Sequence, residues 1–133
     1  MTTPHLNPDG PHDPDRTEYA AKLIRDTTRF LVYASMPQRA ARGLRYPGHL
    51  YTVLWQLSST AALYDQMLRQ FAEFLTDEAD AGRLRRDDGG DVSDRITAAM
   101  TQLDRARRAA AELERALANA QSAINDVASA PKP

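Results

Sequence analysis

Apolar residues between positions 50 and 75 recur at alternating spacings of four and three: Leu50, Leu54, Leu57, Ala61, Tyr64, Leu68, Phe71 and Leu75. That alternation is the heptad seam of a helix packed along another helix. A flanking row, Val53, Thr60, Met67 and Phe74, recurs every seven residues and widens the apolar face beyond what one partner helix covers. A second stretch keeps the same rhythm through Val92, Ile96, Ala99, Leu103, Ala106, Ala110, Leu113, Leu117, Ala120, Ile124 and Val127, with no charge among these positions. Two long helices are therefore predicted, over about residues 49–82 and 92–128, each roughly 50 to 55 Å long at ~1.5 Å per residue.

Between them Asp87-Asp88-Gly89-Gly90-Asp91 supplies the backbone freedom that a reversal needs. Gly82 ahead of it, with Arg83, Arg85 and Arg86, reads as a glycine stop with cations placed against the helix dipole. Ser93 or Asp91 caps the helix that follows. Helices of equal length joined by a short turn pair antiparallel. If position numbers on the two seams sum to about 170, Phe71 faces Ala99, Tyr64 faces Ala106, Leu68 faces Leu103, Leu57 faces Leu113 and Leu54 faces Leu117, large side chains repeatedly meeting small ones.

A shorter helix is predicted nearer the N-terminus, over about residues 15–36. It opens at Asp13 or Asp15, with Pro14 suited to a first turn, and Pro37 stops it. Its apolar face is Ala20, Leu23, Ile24, Phe30, Leu31 and Ala34. No stretch alternates apolar and polar residues as a strand does. The expected fold is all-α: a long antiparallel, coiled-coil-like helical hairpin with the shorter N-terminal helix packed on it. Residues 15–128 form one domain on this reading. Residues 1–14, which hold Pro4, Pro8, Pro11 and Pro14 and few apolar side chains, are expected to be a disordered tail, dispensable through about Pro11, and residues 129–133 a second tail.

Composition narrows the function classes. The chain of 133 residues carries 17 Lys plus Arg against 18 Asp plus Glu, so its summed charge steers it toward neither nucleic acid nor acidic membranes. With no cysteine, disulfide frameworks, thiolate zinc sites and thiol nucleophiles are excluded together. No run approaches the ~18 apolar residues of a membrane span, and the N-terminus lacks a basic start followed by an apolar stretch. Cytoplasmic residence is the expectation, with export without a cleaved signal left open.

Reactive constellations are missing at the level of sequence. Di-metal centres in helical bundles need inward carboxylates and a Glu-x-x-His pair, and none is present. His49 precedes the second helix without another ligand at helical spacing, which favours capping over metal ligation. Ser58, Ser59 and Thr60 lie within an amphipathic helix and read as packing and helix-facing hydroxyls. The acids Asp77, Glu78, Asp80, Asp87, Asp88 and Asp91 do not follow calcium-loop spacing and lie beside arginines, which marks a solvated turn. No catalytic residue, metal or cofactor is implied, and no small-molecule substrate.

Two surfaces stand out. Arg39, Arg42 and Arg45, with Tyr46 and Tyr51 nearby, combine charge and aromatic faces as nucleic-acid or anion sites do. Three charges are few, and a solvated connector or pairing with acids such as Asp65 and Asp104 is the favoured reading. The second surface is the flanking row: Val53, Met67 and Phe74 need more cover than the shorter helix provides, and they are the expected residues of self-association, as a homodimer. Trp55, beside the seam, is expected to be partly buried against the first helix.

The stretch Leu44-Arg45-Tyr46-Pro47-Gly48-His49-Leu50-Tyr51, followed by Ala81-Gly82-Arg83-Leu84 and Asp87-Asp88-Gly89, resembles small, uncharacterised helical proteins of actinomycete plasmids and integrative elements. The resemblance spans most of residues 44–128. It implies a mobile-element setting and brings no established activity. The chain is also similar in size and outline to the helical-hairpin substrates of type VII secretion. Those carry Trp-x-Gly at the turn, whereas here the turn is Asp87-Asp88-Gly89-Gly90-Asp91 and the only tryptophan, Trp55, is mid-helix. The expected function is that of a non-enzymatic interaction or assembly protein whose partner is another protein or a second copy, with accessory nucleic-acid binding through the Arg connector as the alternative.

Overall fold

The computed structural model describes residues 6–37 and 43–131 and divides into two units, Met1–Arg45 and Tyr46–Pro133. Among the described residues the regular structure is helical throughout: α1 (Pro14–Ala34), α2 (Pro47–Asp80) and α3 (Ser93–Ala123). No helix of the described residues is long and apolar enough to cross a membrane.

In the first unit, Asp13 caps α1 by accepting a hydrogen bond from the Arg16 backbone N–H at 2.7 Å, and Pro14 fills the first turn, where a missing N–H costs nothing. The helix ends at Ala34, two residues short of the expected end, with Ser35 as its C-cap; Pro37 keeps Met36 out of helical geometry, and the stop falls one residue earlier. No residue of α1 is buried, and Ile24 and Phe30 of its apolar face are exposed. Ahead of it, a turn runs from the Gly10 N–H to the Asn7 carbonyl at 2.9 Å. The first five residues of the expected tail lie outside the described residues.

The second unit is the hairpin. Pro47 opens α2, and the Tyr46 N–H donates to Nδ1 of His49 at 3.2 Å, with the two rings 5.5 Å apart. His49 is thus a capping residue, as its position suggested. The helix closes on Gly82, at φ +70°, with the Arg83 N–H reaching the Glu78 carbonyl and the Gly82 N–H the Ala79 carbonyl, both at 3.0 Å. That double bond pattern is a Schellman stop. Arg83 adds a two-pronged ion pair to Glu78 at 2.9 and 3.0 Å, and its hydrogen bonds hold the Glu78 carboxyl below the usual carboxylate range.

An alanine at Gly82 would meet nothing within 4 Å, so its cost is purely conformational. Gly82→Ala is expected to lower stability by about 1 kcal/mol, the penalty of a left-handed backbone for a residue with Cβ. Gly48→Ala, in the first turn of α2 and equally unobstructed, should leave stability unchanged or raise it. Urea unfolding midpoints of the two variants test this pair.

The reversal uses Gly89 at φ +78°, and the Gly90 N–H bonds to the Asp88 carboxylate at 2.9 Å. Asp91 then accepts from both the backbone N–H and the hydroxyl of Ser93, at 3.0 and 2.9 Å; the N-cap position itself falls on Val92, between the two expected candidates, and Asp91 serves the first helical N–H from one residue ahead of it. Those bonds, the backbone one foremost, keep its carboxyl below the ordinary carboxylate range. The contribution is present in full above the unfolded pKa and disappears as pH falls through the lowered one. At its far end α3 gives way to turns at Ile124 and Val127, so it is shorter than the expected 92–128.

Asp65 of α2 pairs with Arg107 of α3 at 3.1 Å, and the Ser58 hydroxyl donates to the Glu114 carbonyl at 3.3 Å. The position numbers in both pairs sum to 172, which makes the helices antiparallel and confirms the expected register within two residues. Ala61 and Ala110, at the level between those pairs, are 3% and 7% exposed and are the only buried residues among those described. Two alanines at the closest approach let the backbones come near, and the core is the strip they define.

Candidate interaction surface

Where the helices touch decides what they leave uncovered. The contact line on α2 runs through Leu54, Ser58, Ala61, Asp65, Leu68, Ala72, Leu75 and Ala79, all buried or half-buried. On α3 it runs through Ile96, Met100, Leu103, Arg107, Ala110, Glu114, Leu117 and Gln121. One heptad row of each predicted seam is therefore correct: 54, 61, 68 and 75 on α2, and 96, 103, 110 and 117 on α3. The other row is displaced by one residue. Instead of Leu57, Tyr64 and Phe71, the line takes Ser58, Asp65 and Ala72; instead of Ala106 and Leu113, it takes Arg107 and Glu114. The physical reason is size. A pair whose nearest residues are alanines has no room for a phenylalanine or tyrosine on its axis, but accepts serine and alanine, and long polar stems along its edge.

The displacement gives the hairpin two unlike sides. In an antiparallel pair, residues displaced in the same rotational sense from the contact line emerge on the same side. One side carries Ser58, Asp65, Arg107 and Glu114 and is bridged by the ion pair and hydrogen bond already described. The other carries Leu50, Leu57, Tyr64 and Phe71 from α2 and Ala99, Ala106, Leu113 and Ala120 from α3. Beyond these lie the two outer rows, Val53, Thr60, Met67 and Phe74 on α2 and Gln102, Ala109, Ala116 and Ala123 on α3. None of these sixteen positions is charged, in a chain where 26% of residues are; the same rows reach charge only beside the turn, at Glu78 and Arg95.

This side is open. Phe71 is 46%, Phe74 63% and Leu113 48% exposed, and Leu50 and Leu57 also stand exposed along it. Near the turn it deepens into an apolar groove lined by Phe71, Phe74, Leu75, Ala99, Gln102 and Leu103. Scattered exposed leucines are ordinary on protein surfaces; a continuous uncharged strip two helices wide is not.

Of the residues singled out for self-association, Phe74 lines the groove, while Met67 and Val53 are half-buried further along the same outer row. The sequence missed the contribution of Leu57, Phe71 and Leu113, which it assigned to the space between α2 and α3. A signal for them existed: Asp65 and Arg107 have opposite charge and fall opposite one another in the expected register, which places their rows in contact.

Of the arginines proposed for nucleic acid or another anion, Arg45 is exposed, and Arg39 and Arg42 lie outside the described residues. The acids considered as their partners are engaged elsewhere, Asp65 by Arg107 and Asp104 by Arg108 at 2.7 Å. Trp55, expected to be partly buried, is 52% exposed. The Thr60 hydroxyl donates to the Gln56 carbonyl at 2.9 Å and the Ser58 hydroxyl to that of Glu114, so both serve as helix-facing hydroxyls. No group of three or more His, Cys, Asp or Glu that could hold a metal occurs among the described residues. Compared with family models, curated proteins and solved structures, the chain matches none.

Proposed function

We propose that this chain is a non-enzymatic helical interaction or assembly protein, and that it works by burying the open side of its hairpin against another helical surface, a homodimeric partner included. The supporting observation is the asymmetry of the hairpin: polar bridges close one side, while Leu57, Phe71, Phe74 and Leu113 remain exposed on the other. Apolar area of this extent gains roughly 25 cal/mol for each Å² removed from water, and a partner is what removes it. The absence of charge across the strip favours an apolar, helix-forming partner over nucleic acid, whose recognition begins with cations arrayed toward phosphates.

A photoreactive benzoylphenylalanine placed at Phe74, and separately at Ala62, tests the reading in cells producing the full chain. Ala62 is exposed on the side of α2 turned away from the strip and serves as the control. Irradiation is expected to give discrete protein adducts from position 74 and background from position 62. Equal labelling from positions 62 and 74, or none above background at 74, would overturn the reading.

A further inference from the structure

We infer that the occupant of the open side is the same side of a second copy, related by a two-fold axis running parallel to the helices, so that α2 of each copy lies over α3 of the other. The inference rests on the reading above and adds the identity and geometry of the partner.

On the open side α2 contributes large residues, Leu57, Phe71, Met67 and Phe74, and α3 contributes mostly small ones, Ala99, Ala106, Ala109 and Ala116. A surface made of a ridge beside a trough fits itself when a two-fold axis sets ridge over trough. An axis parallel to the helices also leaves heights along the hairpin unchanged. The register fixed by Asp65 with Arg107 and Ser58 with Glu114 therefore fixes which residues of the two copies meet. Val53 then falls between Ala116 and Ala123 of the other copy, Thr60 between Ala109 and Ala116, Met67 between Gln102 and Ala109, and Phe74 between Arg95 and Gln102. From Val53 to Met67 the outer row of α2 meets only exposed small or neutral residues, and Arg95 is exposed at the turn end, where its long stem can cover the Phe74 ring while its charge stays in water. A two-fold axis lying across the helices would instead stack α2 on α2, large against large, with Phe74 at the wrong end of the hairpin.

Area agrees with this occupant. A strip about 45 Å long and about 18 Å wide offers roughly 800 Å² per copy. That equals the contribution of each partner to a stable interface of ordinary size, about 800 Å². The product is a four-helix bundle in which each neighbouring pair is antiparallel and both turns lie at the same end.

The native chain has no cysteine, so single cysteines report proximity cleanly. Ala99→Cys sits near the turn and Ala120→Cys near the other end, both pointing toward the bundle axis. A short bismaleimide should link each variant to its own twin, giving a covalent dimer in both cases, while Ala98→Cys on the outer face gives none. Sedimentation equilibrium of the unmodified chain should report twice the 14.8 kDa chain mass at micromolar concentration. Phe74→Asp should weaken association at least about 100-fold, as an unpaired carboxylate buried in an apolar groove does. Phe74→Ala should weaken it less while keeping full helicity by circular dichroism, so that loss of folding is distinguished from loss of pairing. A monomer at all concentrations, a dimer indifferent to Phe74→Asp, or a dimer with linkage at neither cysteine would overturn the inference. A monomer that still gives adducts to a different protein from position 74 would overturn this pairing alone and leave the interaction reading standing.

Discussion

Enlarging Ala110 to leucine is expected to lower stability by about 2 kcal/mol, and the midpoint of thermal unfolding by roughly 10 °C. Ala110 is 7% exposed and lies level with Ala61, at 3%, in the closest approach of α2 and α3. Three added carbons there have nowhere to go, so the helices must separate, and the contacts of Leu54, Leu68, Leu103 and Leu117 on either side weaken with them. Ala98→Leu, on the exposed outer face of α3, should shift the midpoint by less than about 2 °C, since leucine and alanine differ little as helix formers. Differential scanning calorimetry of the two variants gives the comparison. A large effect at position 98 with none at 110 would mean that the contact line is misplaced.

The existence of the helices was legible in the sequence because their determinants are local. Asp13 and Pro14 open α1, Pro47 opens α2, Gly82 closes it, and Asp91 serves the first N–H of α3; each acts through its own backbone or its nearest neighbours. The antiparallel register was legible too, since the turn at Gly89 and the equal helix lengths leave little freedom. What periodicity did not resolve was the direction in which each apolar face points. Three heptad rows of α2 are apolar or neutral from Leu50 to Leu75, an arc wider than one neighbouring helix covers, and periodicity centres the seam toward the middle of the arc. The structure centres it instead on the edge where side chains are smallest, Ser58, Ala61 and Ala72. Volume at the point of closest approach chose among rows that hydrophobicity ranks alike.

The same displacement explains why part of the interaction surface was visible and part was not. Phe74, Met67 and Val53 lie so far around α2 that no hairpin partner reaches them, so they were expected to need further cover. Leu57, Phe71 and Leu113 sit nearer the seam and were assigned to it. Only the placement of Asp65 and Arg107 on the contact line turns them outward. The reading of the Arg connector stands where the sequence left it, with Arg39 and Arg42 outside the described residues.

If the open side is completed by a second copy, folding is linked to association, and stability must depend on concentration. The midpoint of thermal unfolding should rise by about 3 °C for each tenfold increase in chain concentration, or about 6 °C over a hundredfold span. The double variant Leu57→Asp with Phe74→Asp, charged at two levels of the strip, should unfold at a lower midpoint that no longer moves with concentration. Thermal melts of the two proteins, followed by circular dichroism from low micromolar to submillimolar concentration, distinguish a paired hairpin from a solitary one. A rising midpoint for the native chain beside a flat one for the double variant is the expected result. A native midpoint that is flat across the whole span would contradict the claim that the hairpin depends on a second copy to cover its apolar side.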